Sequence, residues 1–246
     1  MDNLNYKGFL LFIGYGRSGH SVVVNVLNKH PNILISDEVG ILKEVNNPKE
    51  RIIKKTMNKA NIRPPRYSSL NKNIKFKDEV PEKEKIHYIG DKHANQTTKY
   101  INNNFELLNK FEKKMKNLKL IHVIRNPYDI ITTKFLRRKS ERWKGKIKNT
   151  INEFNLLSNT VDTIKKSYSV YDIYLENLIY EPVRNISRIF DNLNLEYNDE
   201  LVYNMSDVLL KEPNISRYKI DWSERNKEMV KKIINKHNFL DGYEFD

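Results

Sequence analysis

The stretch Phe9-Leu-Leu-Phe-Ile-Gly-Tyr-Gly-Arg-Ser-Gly-His-Ser21 decides the predicted fold. Its apolar run, Phe9 to Ile13, has the length and composition of a buried strand. Glycines occupy three of the next six positions, and the segment from His20 to Lys29 then presents one apolar helical face. A strand, a glycine loop and a helix in this order aim backbone N–H groups and a helix N-terminus at an anion.

The loop between the strand and the helix carries polar side chains as well as glycines. Arg17 adds a fixed positive charge, and Ser18 and Ser21 add hydroxyl donors. An inert turn needs only the glycines, whereas an arginine and two serines suit a bound oxyanion. The stretch therefore predicts a loop that binds phosphate or sulfate.

Two nucleotide-binding patterns fit this loop in part. Gly14, Gly16 and Gly19 match Gly-x-Gly-x-x-Gly, and Asp37 and Glu38 follow the next short strand at the distance expected of an NAD(P)-dependent oxidoreductase with a Rossmann fold. The loop also half-matches Gly-x4-Gly-Lys-Ser, which would indicate a P-loop kinase, but histidine stands at position 20 where that pattern has its lysine. Neither pattern decides the function alone.

Composition limits the classes that remain. A chain of 246 residues is long enough for one α/β domain, and its net charge of +13 favours an anionic partner such as a nucleotide, an acidic glycan or a nucleic acid. No RNA-binding aromatic motif or Cys/His finger accompanies the charge, so nucleic acid is the weakest of these partners. The absence of cysteine excludes disulfides, thiolate zinc sites and a cysteine nucleophile.

The N-terminal residues bear on the expected cellular location of the protein. Met1 to Lys7 is short and polar, and the apolar run behind it is too brief to span a bilayer. No signal peptide or membrane anchor is visible, so we expect no membrane partner and a cytoplasmic location.

Two further strands deliver polar side chains to the same predicted sheet edge. Lys85 to Ile89 is predicted as a strand that ends before Gly90-Asp91-Lys92-His93, and His93 is a candidate general base. Leu118 to Ile124 is the clearest internal strand, and Arg125 follows it directly, before a helix that carries Thr133 in its second turn. Two strand-to-helix junctions with an arginine each predict a ligand with two anionic groups.

The remaining pattern predicts alternating helices and strands. Residues 41–84 are the least regular, with a helix over Pro48 to Lys59, and we expect this segment to be an insertion on the substrate side. The other predicted elements are a helix Thr97 to Met115, a helix within Ser140 to Ser167 whose apolar stripe begins at Trp143, a strand Val170 to Leu175, and helices Pro182 to Leu193, Asp199 to Leu210 and Glu224 to His237.

Together these pieces resemble the sulfotransferases that use 3′-phosphoadenosine 5′-phosphosulfate (PAPS). Arg17, Ser18, Gly19, His20 and Ser21 resemble that family's 5′-phosphosulfate loop, and Arg125 with Thr133 resembles its pair for the 3′-phosphate. The segment from Leu175 to Pro182 is similar to the family's Tyr-Glu-x-Leu-x-x-x-Pro, with leucine in place of the usual tyrosine. The C-terminal segment from Trp222 to Phe245 is similar to the tail of small bacterial members.

The resemblance implies a single domain over residues 1–246 with a three-layer, P-loop-like α/β fold, in which helices flank a central, mostly parallel sheet. It implies in-line sulfuryl transfer from PAPS to a hydroxyl or amine, with adenosine 3′,5′-bisphosphate (PAP) as product and no metal. The resemblance leaves the acceptor open: the basic surface would suit an acidic glycan, and a small alcohol, a lipid headgroup or a tyrosine are the alternatives. The implied donor-site residues are Gly16, Arg17, Ser18, Gly19, His20, Ser21, Arg125, Thr133, Arg217 and Tyr218.

The same resemblance implies roles in catalysis. Arg17 would neutralise charge on the bridging oxygen, and Lys92 would face the sulfonate. Two residues are candidates for the base that takes the acceptor's proton. Glu38 stands where some glycan-modifying members carry a glutamate, and His93 lies near the histidine of other members. We favour Glu38.

Overall fold

The computed structural model describes residues 6–62, 85–137, 147–207 and 209–246. The described strands are β1 (Gly8–Ile13), β2 (Ile33–Asp37), β3 (Tyr88–Lys92), β4 (Leu118–Ile124) and β5 (Val170–Tyr174). The described α-helices are α1 (His20–Leu27), α2 (Lys49–Ile62), α3 (Ala94–Asn103), α4 (Glu106–Lys114), α5 (Pro127–Arg137), α6 (Ile147–Ser167), α7 (Leu175–Tyr180), α8 (Pro182–Leu193), α9 (Asp199–Ser206) and α10 (Glu224–Lys236).

The strands form one sheet in the order β2-β3-β1-β4-β5, and the described pairings are all parallel. The order reverses about β1: β2 lies at one edge and β3 returns between β2 and β1, and the chain then continues on the other side of β1 through β4 and β5. Ligands of open α/β sheets bind at such a reversal, beyond the carboxyl ends of the strands. The glycine loop leaves β1 at this point.

Helices cover both faces of the sheet, so the fold has three layers, as the sequence predicts. Side chains alternate along β1: Phe9, Leu11 and Ile13 belong to one buried cluster, and Leu10 and Phe12 belong to a second cluster on the opposite face. A strand buried on both faces reads as a continuous apolar run, which is why β1 stood out in the sequence. In the described parts of the chain, no helix combines the length and apolar character needed to cross a membrane.

One strand was placed wrongly by the sequence pattern. β3 covers Tyr88–Lys92, not residues 85 to 89, so Gly90 and Asp91 lie inside the sheet. Gly90 is required there because a Cβ at this position would lie 2.7 Å from the carbonyl oxygen and 2.9 Å from the Cβ of Leu10 in β1. β2 likewise extends through Asp37, which pairs with Lys92 in the parallel register. Glycine and aspartate resemble turn residues in sequence, but here both lie within strands, and the close approach of β1 requires the glycine.

Several helix boundaries differ from the predicted ones, and at two places the number of helices changes as well. The predicted helix over residues 97 to 115 is two helices, α3 and α4, because Asn104 is extended and its side chain accepts from the Glu106 N–H. β5 ends at Tyr174, and Leu175 begins α7, a helix that the pattern did not indicate.

The predicted insertion is described only in part. A short 3-10 helix, Ile41–Glu44, and α2 follow β2, and Ile41, Leu42 and Ile52 are fully buried in the core beside the sheet. Residues 63–84 lie outside the described ranges, and so does Trp143.

Candidate active site

A cleft of about 610 Å³ opens at the carboxyl edge of the sheet. Its described lining includes five cationic side chains and one carboxylate, and an apolar wall on one side. The cations are Arg17, Lys92, Arg125, Lys134 and Arg137; the carboxylate is Glu38; the apolar wall is Val22, Leu175, Ile179 and Leu210. Because the cations outnumber the carboxylate, the cleft is suited to a ligand with several negative charges.

The glycine loop owes its path to positive φ angles at Gly14, Arg17 and Gly19, and two of these positions require glycine. Gly14 has φ 109°, and a Cβ there would lie 2.6 Å from the ring of His122. Gly19 has φ 98°, and a Cβ there would lie 2.7 Å from the side chain of Leu175. Neither position therefore admits a side chain. On the other side of the loop, the Gly14 N–H donates to Thr98 Oγ1 at 2.7 Å.

Ser18 and His20 brace the loop from behind. Ser18 is fully buried and bonds His20 Nδ1 at 2.9 Å, while His20 Nε2 lies 3.2 Å from the carbonyl oxygen of Ile13. Burial lowers the pKa of His20 to about 3, so its ring is neutral, Nε2–H donates to Ile13, and Nδ1 accepts from Ser18. The Ser18 hydroxyl is thus occupied inside the protein, whereas His20 and Ser21 line the cleft.

Buried neutral histidines make the fold sensitive to acid. Burial lowers the pKa of His20, and likewise of His122 in β4 despite its hydrogen bond to Asp172. The unfolded chain then binds more protons than the folded one, so stability is complete above about pH 6.5 and falls as the pH drops below it. For His20 this loss reaches about 2 kcal/mol by pH 5, and the lowered pKa of His122 acts in the same direction. Urea unfolding of the protein between pH 7.5 and 5 should show this loss, and His20→Asn should have a shallower slope. An unchanged slope in the variant would contradict the assignment.

Arg125 connects the two strand-to-helix junctions. It begins the turn after β4, is 7% exposed and lines the cleft. Its Nη1 donates to the carbonyl oxygen of Arg17 at 3.0 Å, its Nη2 donates to that of Asn214, and its Nε is buried without a partner among the described residues. A buried guanidinium with an unused donor beside a cleft is suited to bind an anion.

Asp129 holds a second loop against Arg125. One carboxylate oxygen accepts from the backbone N–H groups of Ser216 and Arg217, at 2.6 and 2.7 Å, and the other pairs with the Arg217 guanidinium at 2.8 Å. Ser216 Oγ lies 2.9 Å from Thr133 Oγ1, so this loop also reaches the predicted hydroxyl. Sequence reasoning missed Asp129 and Ser216, because Asp129 reads as a helix-start residue.

We expect Asp129→Asn to lower the free energy of unfolding by about 3 kcal/mol, because it leaves the largely buried Arg217 guanidinium without its carboxylate partner. Chemical denaturation of the two proteins at pH 7 measures this difference. Arg184→Gln, which removes a charge from an exposed ion pair with Glu181, is the control and should change stability by less than about 1 kcal/mol. Equal effects of the two substitutions would show that Asp129 is not a structural anchor.

Lys92 lies at the end of β3, between the glycine loop and the acidic residues Asp37 and Glu38 at the end of β2. It forms an ion pair with Asp37, and its Nζ lies 3.7 Å from Glu38 and 3.3 Å from Ser21 Oγ. Glu38 has φ 57°, which is uncommon for a residue other than glycine, asparagine or aspartate. Its side chain is 44% exposed and lines the cleft, so it can reach a ligand there.

The structure brings most of the predicted site residues together, but not all of them. Gly16, Arg17, Gly19, His20, Ser21, Glu38, Lys92, His93, Arg125 and Thr133 line the cleft. Arg217 and Tyr218 are not among its lining residues: Arg217 binds Asp129, and Tyr218 is 60% exposed. Asn95, Lys134 and Arg137 line the cleft without having been predicted, because polar helix residues carry no distinguishing pattern. Within the described ranges, no group of three His, Cys, Asp or Glu side chains could hold a metal ion.

Comparison with known proteins identifies the fold. A model of the sulfotransferase family matches residues 10–199, and no curated protein sequence matches. The sulfotransferase domain of an olefin synthase from Synechococcus is 13% identical with a TM-score of 0.55, and 96% of each chain is covered. The sulfotransferase domain of the curacin biosynthetic pathway is 13% identical with a TM-score of 0.60 over 94% of this chain and 98% of that one. A mouse sulfotransferase complexed with PAP is 13% identical with a TM-score of 0.54, over 94% of this chain and 84% of that one.

Proposed function

The chain belongs to the sulfotransferase family, and from this membership we propose that it transfers the sulfuryl group of PAPS to a hydroxyl or amine and releases PAP. We further propose that the whole chain is one catalytic domain, that it acts in the cytoplasm, and that its acceptor is a glycan or a small alcohol. The cationic cleft supports a donor that carries a phosphate and a phosphosulfate.

The observation that carries the proposal is the hydrogen bond between Arg125 and the carbonyl oxygen of Arg17. The 3′-phosphate and the 5′-phosphosulfate of PAPS are attached to one ribose, so their binding sites must be neighbours. The glycine loop with Arg17 would bind the 5′ group, and Arg125 with Thr133 would bind the 3′-phosphate. The apolar wall that includes Val22 and Leu175 offers a surface for the adenine ring.

In the proposed reaction, the acceptor oxygen or nitrogen attacks sulfur in line with the bridging oxygen. The new bond to sulfur forms as the bond to the bridging oxygen breaks, and PAP leaves with that electron pair. Arg17 and the loop N–H groups would stabilise the charge that develops on the bridging oxygen, and Lys92 would stabilise the sulfonate. No step requires a metal ion in this scheme.

The acceptor must lose its proton, and Glu38 is the proposed base. Its carboxylate lies in the cleft beside Lys92, so it is close to the proposed position of the sulfonate. The alternative, His93, has its Nδ1 buried without a partner among the described residues, and a Cβ on Gly40 would lie 3.2 Å from that atom. This packing leaves Nδ1 poorly placed to accept a proton from a ligand, so a base at His93 would have to act through Nε2.

Calorimetric titration of the protein with PAP, AMP, ATP and NAD tests the donor assignment. We expect PAP to bind at least about 100-fold more tightly than AMP, because a buried arginine contributes two or more charge-assisted hydrogen bonds to the additional phosphate. Preference for NAD would favour a Rossmann-type oxidoreductase, and preference for ATP a P-loop kinase. Equal binding of PAP and AMP would refute the proposed 3′-phosphate site.

A further inference from the structure

Asp91 is a fully buried carboxylate next to Lys92 in β3, and it does not line the cleft. One of its oxygens accepts from the backbone N–H of Val39 at 3.0 Å and lies 3.3 Å from Ser36 Oγ. The other accepts from the backbone N–H groups of Gly40 and Ile41, each at 2.9 Å. Both oxygens are therefore occupied within the protein.

The three backbone donors are consecutive, and they directly follow Glu38. Its left-handed backbone, with φ 57°, is thus held from the C-terminal side by Asp91. From the other side, the Glu38 N–H donates to the carbonyl oxygen of Lys92 at 3.1 Å. A non-glycine residue stays in this conformation only where the surrounding structure enforces it, and neighbouring residues of one strand supply both restraints here.

We propose that Asp91 is a positioning residue for Glu38; this proposal rests on the proposed function, in which Glu38 is the base. Asp91 touches neither donor nor acceptor. Its side-chain oxygens hold the three N–H groups of the turn, and the turn fixes where the Glu38 carboxylate stands relative to Lys92. Without the carboxylate, the three amides lose their common acceptor, and Glu38 relaxes towards an ordinary backbone conformation with its carboxylate away from the attacking atom.

The test compares Asp91→Asn, Glu38→Gln and the double variant with Ser36→Ala as matched control. Asparagine retains the shape of aspartate but turns an N–H₂ group towards backbone donors, whereas Ser36→Ala removes one hydroxyl and leaves all three amides bound. Three quantities are measured: PAP affinity by calorimetry, release of sulfate from radiolabelled PAPS with water as acceptor in a single turnover, and deuterium exchange of the amides of residues 39–41.

We expect Asp91→Asn to slow turnover about 10-fold or more, Glu38→Gln to slow it about 100-fold, and the double variant to match Glu38→Gln. PAP affinity should change less than threefold in Asp91→Asn, and its amides 39–41 should exchange faster than in the wild type. Ser36→Ala should resemble the wild type in all three measurements.

Several outcomes would overturn the inference. Additive effects of the two substitutions would show that Asp91 acts independently of Glu38, and unchanged exchange of amides 39–41 would show that the carboxylate does not hold the turn. A parallel loss of PAP affinity would assign Asp91 a general structural role. Wild-type protein that fails to bind PAP would refute the proposed function instead, and the exchange measurement would still report on the turn.

Discussion

Arg125→Ala is expected to weaken PAP binding by about 100-fold or more, until PAP binds no more tightly than AMP. The guanidinium is nearly buried, and two or more charge-assisted hydrogen bonds to the 3′-phosphate would contribute about 3 kcal/mol or more together. AMP lacks that phosphate, so its affinity should stay within a few-fold of the wild-type value. Titration of both nucleotides into both proteins measures the ratio directly.

The ratio of the two affinities separates binding from folding. Arg125 also donates to the carbonyl oxygens of Arg17 and Asn214, so its removal can disturb the loops themselves. Such a disturbance would weaken PAP and AMP alike and would contradict a specific role towards the 3′-phosphate. Arg125→Lys is the matched control: it keeps the charge but loses the fork of donors, so it should retain part of the preference for PAP.

The positions of Arg17 and Arg125 in this site could be predicted from the sequence, because both residues lie just beyond the end of a strand. β1 and β4 are buried on both faces and read as apolar runs, so Arg17 and Arg125 could be placed just beyond their ends. The order of the strands in the sheet brings these two ends together. The family resemblance added the pairing of Arg125 with Thr133, which periodicity alone could not supply.

Tertiary interactions account for what the sequence did not predict. Asp91 reads as a turn residue after a strand, yet it is a buried acceptor for the turn after Glu38, a partner 50 residues or more away. Asp129 and the loop at Ser216 are separated by 87 residues. A carboxylate that holds a distant loop can be recognised only when the backbone N–H groups that it binds are known. No local sequence pattern identifies those N–H groups.

In the glycine loop, too, the sequence does not show which side chains face the ligand. Its three glycines, its arginine and its serines all suit an anion by residue type, but Ser18 is turned inward to His20. Residue types in a motif therefore predict the chemistry of a loop better than they predict which of its side chains face the ligand.

Arg17→Ala is expected to slow sulfuryl transfer by about 100-fold or more while it weakens PAP binding by less than about 10-fold. Negative charge on the bridging oxygen increases as its bond to sulfur breaks, so a cation beside it stabilises the transition state more than the bound donor. The side chain is exposed, so its removal leaves no buried cavity. Single-turnover release of PAP from radiolabelled PAPS gives the rate, and calorimetry gives the affinity.

Two variants make this result interpretable. Arg184→Ala removes another exposed arginine, on α8 and outside the cleft, and should leave both quantities unchanged. Arg17→Lys keeps the charge and should restore part of the rate, since a lysine can reach the same oxygen with a single donor. Arg17→Ala could instead reduce the affinity for PAP and leave the rate of sulfuryl transfer from the bound donor unchanged. Arg17 would then stabilise only the bound ground state and not the transition state. The charge on the leaving oxygen would then have to be stabilised by the loop N–H groups and Lys92.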